Sequence, residues 1–431
     1  MIYIRLFHRS QKKNLHVYLG RTISDIQWKQ CSLPTSMSGL GYGDSALTSL
    51  VANIASIYGS KDELKNLVDI GLIPARSLKQ YSRCFSSLKT FNEYINPNPN
   101  PTPENPHINS FPGLTSLMDG KSLQSTLMSK LREYSTNKYI TDLTQSLPND
   151  QQGLRKKIIH FNSLTGDISS QWLLNKCPTS HDFTFTSDQF RILLARRLMI
   201  PVHTFTPGSK CPCGKNLDDA GNHISSFCNK DRSLHTIHNT VLRVLDRAAR
   251  SQGLHTAMEL SSFSSPTDVP NEKRPDLTIT NWPTGNSIKI IDLAITNPVS
   301  DSIQYSATPI SLDPERLLKK HEIQKIKKYR RLVESKKGGT FEPLVIGTSG
   351  NVTKTTSKLI RTICSKQDDN DSTVHRYNYE FWMARISFSL QKTIANEIII
   401  RSGRVNGKQY TTHYANNMFP DSVDIHLQMN G

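Results

Sequence analysis

Three cysteines and one histidine crowd into eighteen residues in the pattern Cys211-x-Cys213-x9-His223-x4-Cys228. This stretch constrains the fold more than any other. Zinc takes four such donors in a tetrahedron, and binding it fixes the loop that carries them. Gly214 lets the backbone turn sharply beneath the first pair. With all four positions filled by protein, the site would be closed and structural. His235 and His238 follow closely enough to serve as substitute ligands. The other cysteines (Cys31, Cys84, Cys177 and Cys364) are scattered singly and read as ordinary thiols. A disulfide framework is not expected in so long a chain without a secretion signal.

Charge narrows the partners. The 431 residues carry a formal net charge of +17, an excess that points to a polyanion and away from ordinary cytosolic metabolism. No run approaches the length of apolar sequence that spans a bilayer, so a soluble intracellular protein with no membrane partner is expected.

Apolar spacing organises the chain. The opening reads as strand-like (Tyr3, Ile4, Leu6, then Leu15, Val17, Leu19). Ala46, Leu50, Ile54 and Ile57 recur at helical period, and a second helical segment at 61–71 carries Leu64, Leu67 and Val68. Five prolines in the eleven residues 96–106 remove donors and fix φ, which marks an extended linker. Further helices are expected over 121–133, 139–146, 151–162 and 187–199, with Pro201 and Pro207 closing the last. Beyond the knuckle, 316–337 reads as a strongly basic helix, Phe341–Gly347 as a strand and Thr353–Cys364 as a helix. An amphipathic helix follows over about 375–401, and the polar tail from 402 reads as loose. The expected division is 1–95 helical, 96–111 linker, 112–204 helical, 205–230 knuckle, 231–365 an α/β core, and 366–431 helix and tail.

Two aspartates carry the chemistry. Asp276 opens a strand-like run, Leu277-Thr278-Ile279, and a turn at Trp282–Asn286 leads to a second, Ile288–Ile291, which delivers Asp292. Two strands joined this way bring both carboxylates to neighbouring positions on one sheet. Such a pair can hold Mg²⁺ or Mn²⁺ against a phosphodiester, where the metal activates water and offsets charge on the leaving oxygen. Glu259 could add a third carboxylate. Single aspartates at hairpin ends are also common turn formers. The basic helix favours the first reading: Lys319, Lys320, Lys327, Arg330 and Arg331, with Arg274 nearby, suit phosphate contacts. Lys325 or Lys328, one turn apart beside Tyr329, could turn toward the acids and stabilise an oxyanion or position water.

Taken together, CxCG, His223 and Cys228, the helix at His238-Asn239, Arg274-Pro275-Asp276-x15-Asp292, Lys327-Lys328-Tyr329 and the FxPLV run at 341–345 resemble one family. It is the C-terminal part of the polyprotein of non-LTR (LINE-type) retrotransposons that use a restriction-like endonuclease. Trp28, Leu33-Pro34 and Gly39-Leu40-Gly41 are similar to the segment after the reverse-transcriptase thumb, and the helix around Arg197-Leu198 also fits. The resemblance is specific over about 195–347 and covers most of the chain. It implies a PD-(D/E)XK, restriction-endonuclease-like α/β nuclease core preceded by a zinc knuckle and a mostly helical N-terminal region. It further implies zinc on Cys211, Cys213, His223 and Cys228, and Mg²⁺ or Mn²⁺ on Asp276 and Asp292. The lysine that the motif places two residues after the second acid is Ala294 here, so Lys325 or Lys328 would replace it.

The implied activity is nicking of target DNA, whose exposed 3′ hydroxyl primes reverse transcription of element RNA. No polymerase motif is found in the chain, so any polymerase would act in trans. The chain then represents a truncated element, a gene-model fragment or a host-retained domain, with nuclear residence expected. The alternative is a catalytically inactive zinc-knuckle remnant that binds nucleic acid. A ribosome-associated basic protein would explain the charge but not the ordered motifs.

Overall fold

The computed structural model describes residues 2–95, 122–166, 168–174, 181–202, 208–211, 213–218, 220–226, 228, 233–258, 275–282, 287–299, 312–334, 339–364 and 372–405. It is mostly helical, with one small four-stranded mixed sheet. The chain divides into two compact units, Met1–Leu154 and Arg155–Gly431. The expected region 112–204 is therefore shared between them.

The first unit is helical: α1 (Ile2–Leu19), α2 (Asp25–Ser32), α3 (Ser45–Gly59), α4 (Lys61–Asp69), α5 (Lys79–Ile95) and α6 (Leu123–Ser146). Val51, Ile54 and Ile57 of α3 pack with Cys84, Leu88 and Phe91 of α5 and with Leu123, Leu127 and Leu131 of α6. Recurrence every three or four residues places each set on one helix face. Residues on both sides of the proline-rich stretch thus share one core; the stretch itself, 96–111, lies outside the described residues.

Two expectations are corrected here. The opening is a helix. Leu15 and Leu19 are buried four residues apart, while Val17 between them is 74% exposed. A strand would have put all three on one face; a helix separates Val17 from the other two. The segments 121–133 and 139–146 form one continuous helix, α6, because Leu131, Tyr139 and Leu143 all face inward along it.

Turn chemistry sets the boundaries in this unit. Ser24 and Gln27 form a capping box at the start of α2, and Asp44 Oδ1 accepts from the Ala46 and Leu47 amides at the start of α3. Between these helices, a Cβ on Gly39 would sit 1.9 Å from the Leu33 carbonyl oxygen, and Gly41 adopts a φ of +75°. The Gly-Leu-Gly sequence is therefore a backbone requirement of this loop.

The second unit begins within α7 (Gln151–Ser163) and contains α8 (Ser187–Arg197), α9 (Ser233–Ser251), β1 (His255–Met258), β2 (Leu277–Thr280), β3 (Ile288–Thr296), α10 (Pro314–Glu334), β4 (Gly339–Gly347), α11 (Lys354–Cys364) and α12 (Ser372–Val405). The strands lie in the order β1-β2-β3-β4, antiparallel except for the parallel pair β3 and β4. A parallel pair needs a crossover, and α10 supplies it. Asp292 lies within β3, a single strand that continues to Thr296 and stops before Pro298. Its central run, Ile290 to Leu293, is fully buried. The amphipathic helix α9 packs on the sheet and α12 packs on α9. The helix α12 extends to Val405, so residues 402–405 belong to it; the tail beyond lies outside the described residues.

Candidate metal centre and carboxylate site

The knuckle loop is built by its backbone. Gly214, at φ +88°, donates to the Cys211 carbonyl, and Cys211 donates back to Lys215, so the first two cysteines sit on one tight turn. Asp218 then accepts from the amides of Ala220, Asn222 and His223, which fixes the helical turn Asn222–Ser226 that presents His223. Arg196 Nη1 donates to the Ala220 carbonyl at 2.6 Å and ties the loop to the end of α8.

The donor atoms of Cys211, Cys213, His223 and Cys228 all lie within 4.8 Å of one another. Cys211 and Cys228 Sγ are 3.4 Å apart, and Cys213 Sγ is 3.2 Å from His223 Nε2. Four soft donors at these separations can hold one metal ion and suit tetrahedral zinc. Burial pushes the Cys211 thiol up to about 11, while a backbone hydrogen bond from Lys215 holds Cys213 below the usual thiol value. Arg401 of α12 points Nη1 at Cys211 Sγ from 3.8 Å. That cation would offset the net charge left by three thiolates on a divalent ion.

His238 is not a substitute zinc ligand. It sits on the inward face of α9, in line with Val241, Leu242 and Leu245, and its Nε2 lies 3.1 Å from Asp276 Oδ2. Its Nδ1 faces Asn239 Oδ1 at 3.0 Å, so the doubly protonated ring satisfies both contacts. Burial opposes that charge, but the hydrogen bond and charge of Asp276, with help from Asn239 and Asp292, outweigh it and raise the His238 pKa. The sequence offered His238 as a substitute zinc ligand and gave no sign that its partner is Asp276. The available signal was a polar side chain interrupting an apolar helix stripe, which needs a buried partner.

Asp276 stands one residue before β2, and Asp292 lies within β3. Leu277 pairs with Ile291, which brings the residue before it, Asp276, beside the Asp292–Leu293 stretch of β3. Asp276 Oδ2 also accepts from the Leu293 amide at 2.6 Å. Asp292 is buried, and Lys325 Nζ of α10 bonds its Oδ2. Tyr329, one turn further along the same helix, donates to Oδ1 at 2.5 Å, while its ring stacks on Phe341 of β4 with centroids 4.8 Å apart. Burial first, and then the bond to Asp292, push the Tyr329 hydroxyl far above its usual pKa, so it remains a donor.

The structure thus separates the two lysines left open by the sequence. Lys325 reaches the carboxylate, whereas Lys328 is exposed and contacts Tyr329, with Nζ 3.0 Å from the hydroxyl. Lys319, Lys320 and Lys327 are exposed on α10, with Lys319 paired to Glu315 one turn back. Arg330 and Arg331 lie on α10, but their side chains are outside the described set, as are Glu259 and Arg274 altogether.

No protein-family model matches this chain, and no curated protein matches it. Among the described residues, no helix is long and apolar enough to cross a membrane.

Proposed function

We propose that the second unit is a metal-dependent endonuclease of the PD-(D/E)XK type that nicks DNA in the nucleus, derived from a non-LTR retrotransposon. One observation carries the reading: Asp276, just before β2, bonds β3 at Leu293, the neighbour of Asp292, while the basic helix α10 brings Lys325 onto the buried Asp292 carboxylate. A phosphodiester site uses cations beside its carboxylates, and the exposed lysines of α10 offer the charge that phosphate contacts need.

Asp276 and Asp292 would hold Mg²⁺ or Mn²⁺, and the fit is sound. Both offer the hard oxygen donors these ions take, and among the described residues Asp276 commits only Oδ2 to hydrogen bonds. The ion would supply Lewis-acid activation of water and charge neutralisation. The protein groups divide the remaining work. His238 and the Leu293 amide orient Asp276. Lys325 balances the buried charge of Asp292, and its ammonium can donate to an anionic oxygen that forms beside it. Tyr329 keeps Asp292 in one rotamer, and Lys319, Lys320 and Lys327 offer phosphate contacts. The knuckle would be a closed zinc site that shapes the approach to α8 and α12.

The rival reading, a remnant that binds DNA without cutting it, draws on the fact that Lys325 and Tyr329 occupy both oxygens of Asp292. Plasmid nicking by the full chain in Mg²⁺ or Mn²⁺ separates the two. Nicking that Asp276→Ala and Asp292→Ala each abolish, with DNA binding retained, supports the nuclease. Equal binding without metal-dependent nicking by the parent chain sinks it.

A further inference from the structure

The first unit contains a cavity of about 520 Å³ that the nuclease reading does not use. Its volume falls in the range of small-ligand sites, roughly 300–1,000 Å³. The wall is formed by α2, the Gly-Leu-Gly loop, α3, α5 and α6, so it is built from the elements that form this unit's own core.

Three kinds of side chain converge on it. Trp28 and Tyr94 supply aromatic surface; Trp28 is tilted 44° against Tyr42, with centroids 5.4 Å apart. Lys29, Arg132 and Lys138 supply positive charge. Lys29 is neutralised by Asp142 at 2.6 Å, whereas Arg132 and Lys138 are exposed. Lys138 lies over the rings of Tyr94 and Tyr134, at 5.2 and 5.7 Å from their centroids. Asp44 is the third element. It caps α3 through Oδ1 and also lines the cavity, so it offers an acceptor within a cationic rim.

A ligand suited to this wall needs a flat π system, an anionic group and an N–H donor on one small framework. Fatty acids lack the ring and the donor, and inorganic phosphate lacks both. A nucleotide has all three: the base stacks, the phosphate meets Arg132 and Lys138, and an exocyclic amine can reach Asp44. We infer that this cavity binds one phosphate-bearing nucleobase unit, with Trp28 and Tyr94 against the base and Arg132 and Lys138 against the phosphate. The unit can come from a free nucleotide or from an unpaired position in a single strand. Neither source depends on Asp276 or Asp292, so this inference stands apart from the nuclease reading.

Photolabelling of the full chain tests it. The probes are 8-azidoadenosine monophosphate and a decanucleotide carrying one 8-azidoadenine, with adducts mapped by peptide mass spectrometry. Adducts are expected on peptides carrying Trp28, Tyr94 or Tyr139, competed by unmodified AMP or decanucleotide. The charge reversal Arg132→Glu with Lys138→Glu changes exposed side chains and should preserve the fold, yet cut labelling roughly tenfold or more. Trp28→Ala should weaken binding roughly five- to hundredfold, the worth of one stacked base. Asp276→Ala should leave the labelling unchanged. Comparable labelling by both probes identifies a free-nucleotide site, and labelling by the decanucleotide alone identifies a strand site. Adducts confined to residues 155–431, labelling indifferent to the charge reversal, or no adduct at saturating probe would each overturn the inference.

Discussion

Lys325 and Tyr329 stand one turn apart on α10 and bond different oxygens of the same carboxylate, Asp292. One charge and one neutral donor therefore hold a buried acid in place, and the two can be removed separately.

If the second unit is a nuclease, removing the charge should slow it. Lys325→Ala is expected to reduce metal-dependent nicking by about two orders of magnitude, the usual scale for losing one preorganised donor at a developing charge. Lys328→Ala, whose side chain is exposed, should lose only a few-fold through weaker DNA contact. A single-turnover nicking assay at saturating protein distinguishes them; equal losses would contradict the separate positions of the two lysines.

Removing the neutral donor should affect stability first. Tyr329→Phe keeps the stack on Phe341 but leaves Asp292 Oδ1 unsatisfied, at a cost of about 1–3 kcal/mol. Urea unfolding in EDTA reads that loss directly. Millimolar Mg²⁺ should restore part of it if the cation takes the vacated oxygen, because a ligand bound only to the folded state stabilises it.

The knuckle makes a stoichiometric prediction. The purified chain should carry one zinc ion by elemental analysis, and Cys228→Ser or His223→Ala should lose it. Zinc added to stripped protein should release protons, since Cys211 holds its proton up to about pH 11. Retention of the metal by both variants would point to other ligands.

His160 gives the second unit an acid-side weakness. Burial, with the adjacent Arg196 charge, depresses its pKa to about 4, below the ordinary histidine value. The ring is neutral when folded and takes up a proton more readily when unfolded. Its contribution is therefore complete above about pH 6.5 and declines as pH falls toward 4. The full shift corresponds to about 3 kcal/mol, and the half-buried ring should realise less. His160→Gln, which keeps a donor for the Arg197 carbonyl, should flatten the stability profile between pH 6.5 and 4.

At the N-terminus, Leu19→Ala should cost about 2–5 kcal/mol. Val17→Lys should fall within about 0.5 kcal/mol of neutral, as exposed positions do. Equal effects in thermal unfolding would restore the strand reading.

Much of the site was legible because its signals are local. The knuckle ligands lie within eighteen residues, and Asp276 and Asp292 bound a hairpin whose register follows from the strands themselves. Period misled the N-terminal reading, since Leu15, Val17 and Leu19 alternate like a strand until the surrounding helix is seen. The role of His238 was hidden for another reason. Its partner Asp276 lies 38 residues away, and no spacing rule connects a helix face to a strand end. The edge strand β1 was missed because four residues, two of them only half-buried, carry too little pattern.

The end of α12 backs the knuckle. Ile398 lies so close to Gly221 that a Cβ there would come within 2.8 Å of its Cδ1, and Arg401 reaches Cys211 across 190 positions of sequence. The knuckle ligands are translated some way before the residues that back them. During synthesis the knuckle must wait for α12 to emerge, and a stop codon before residue 398 would leave the four ligands in the product yet strip away the wall that backs them.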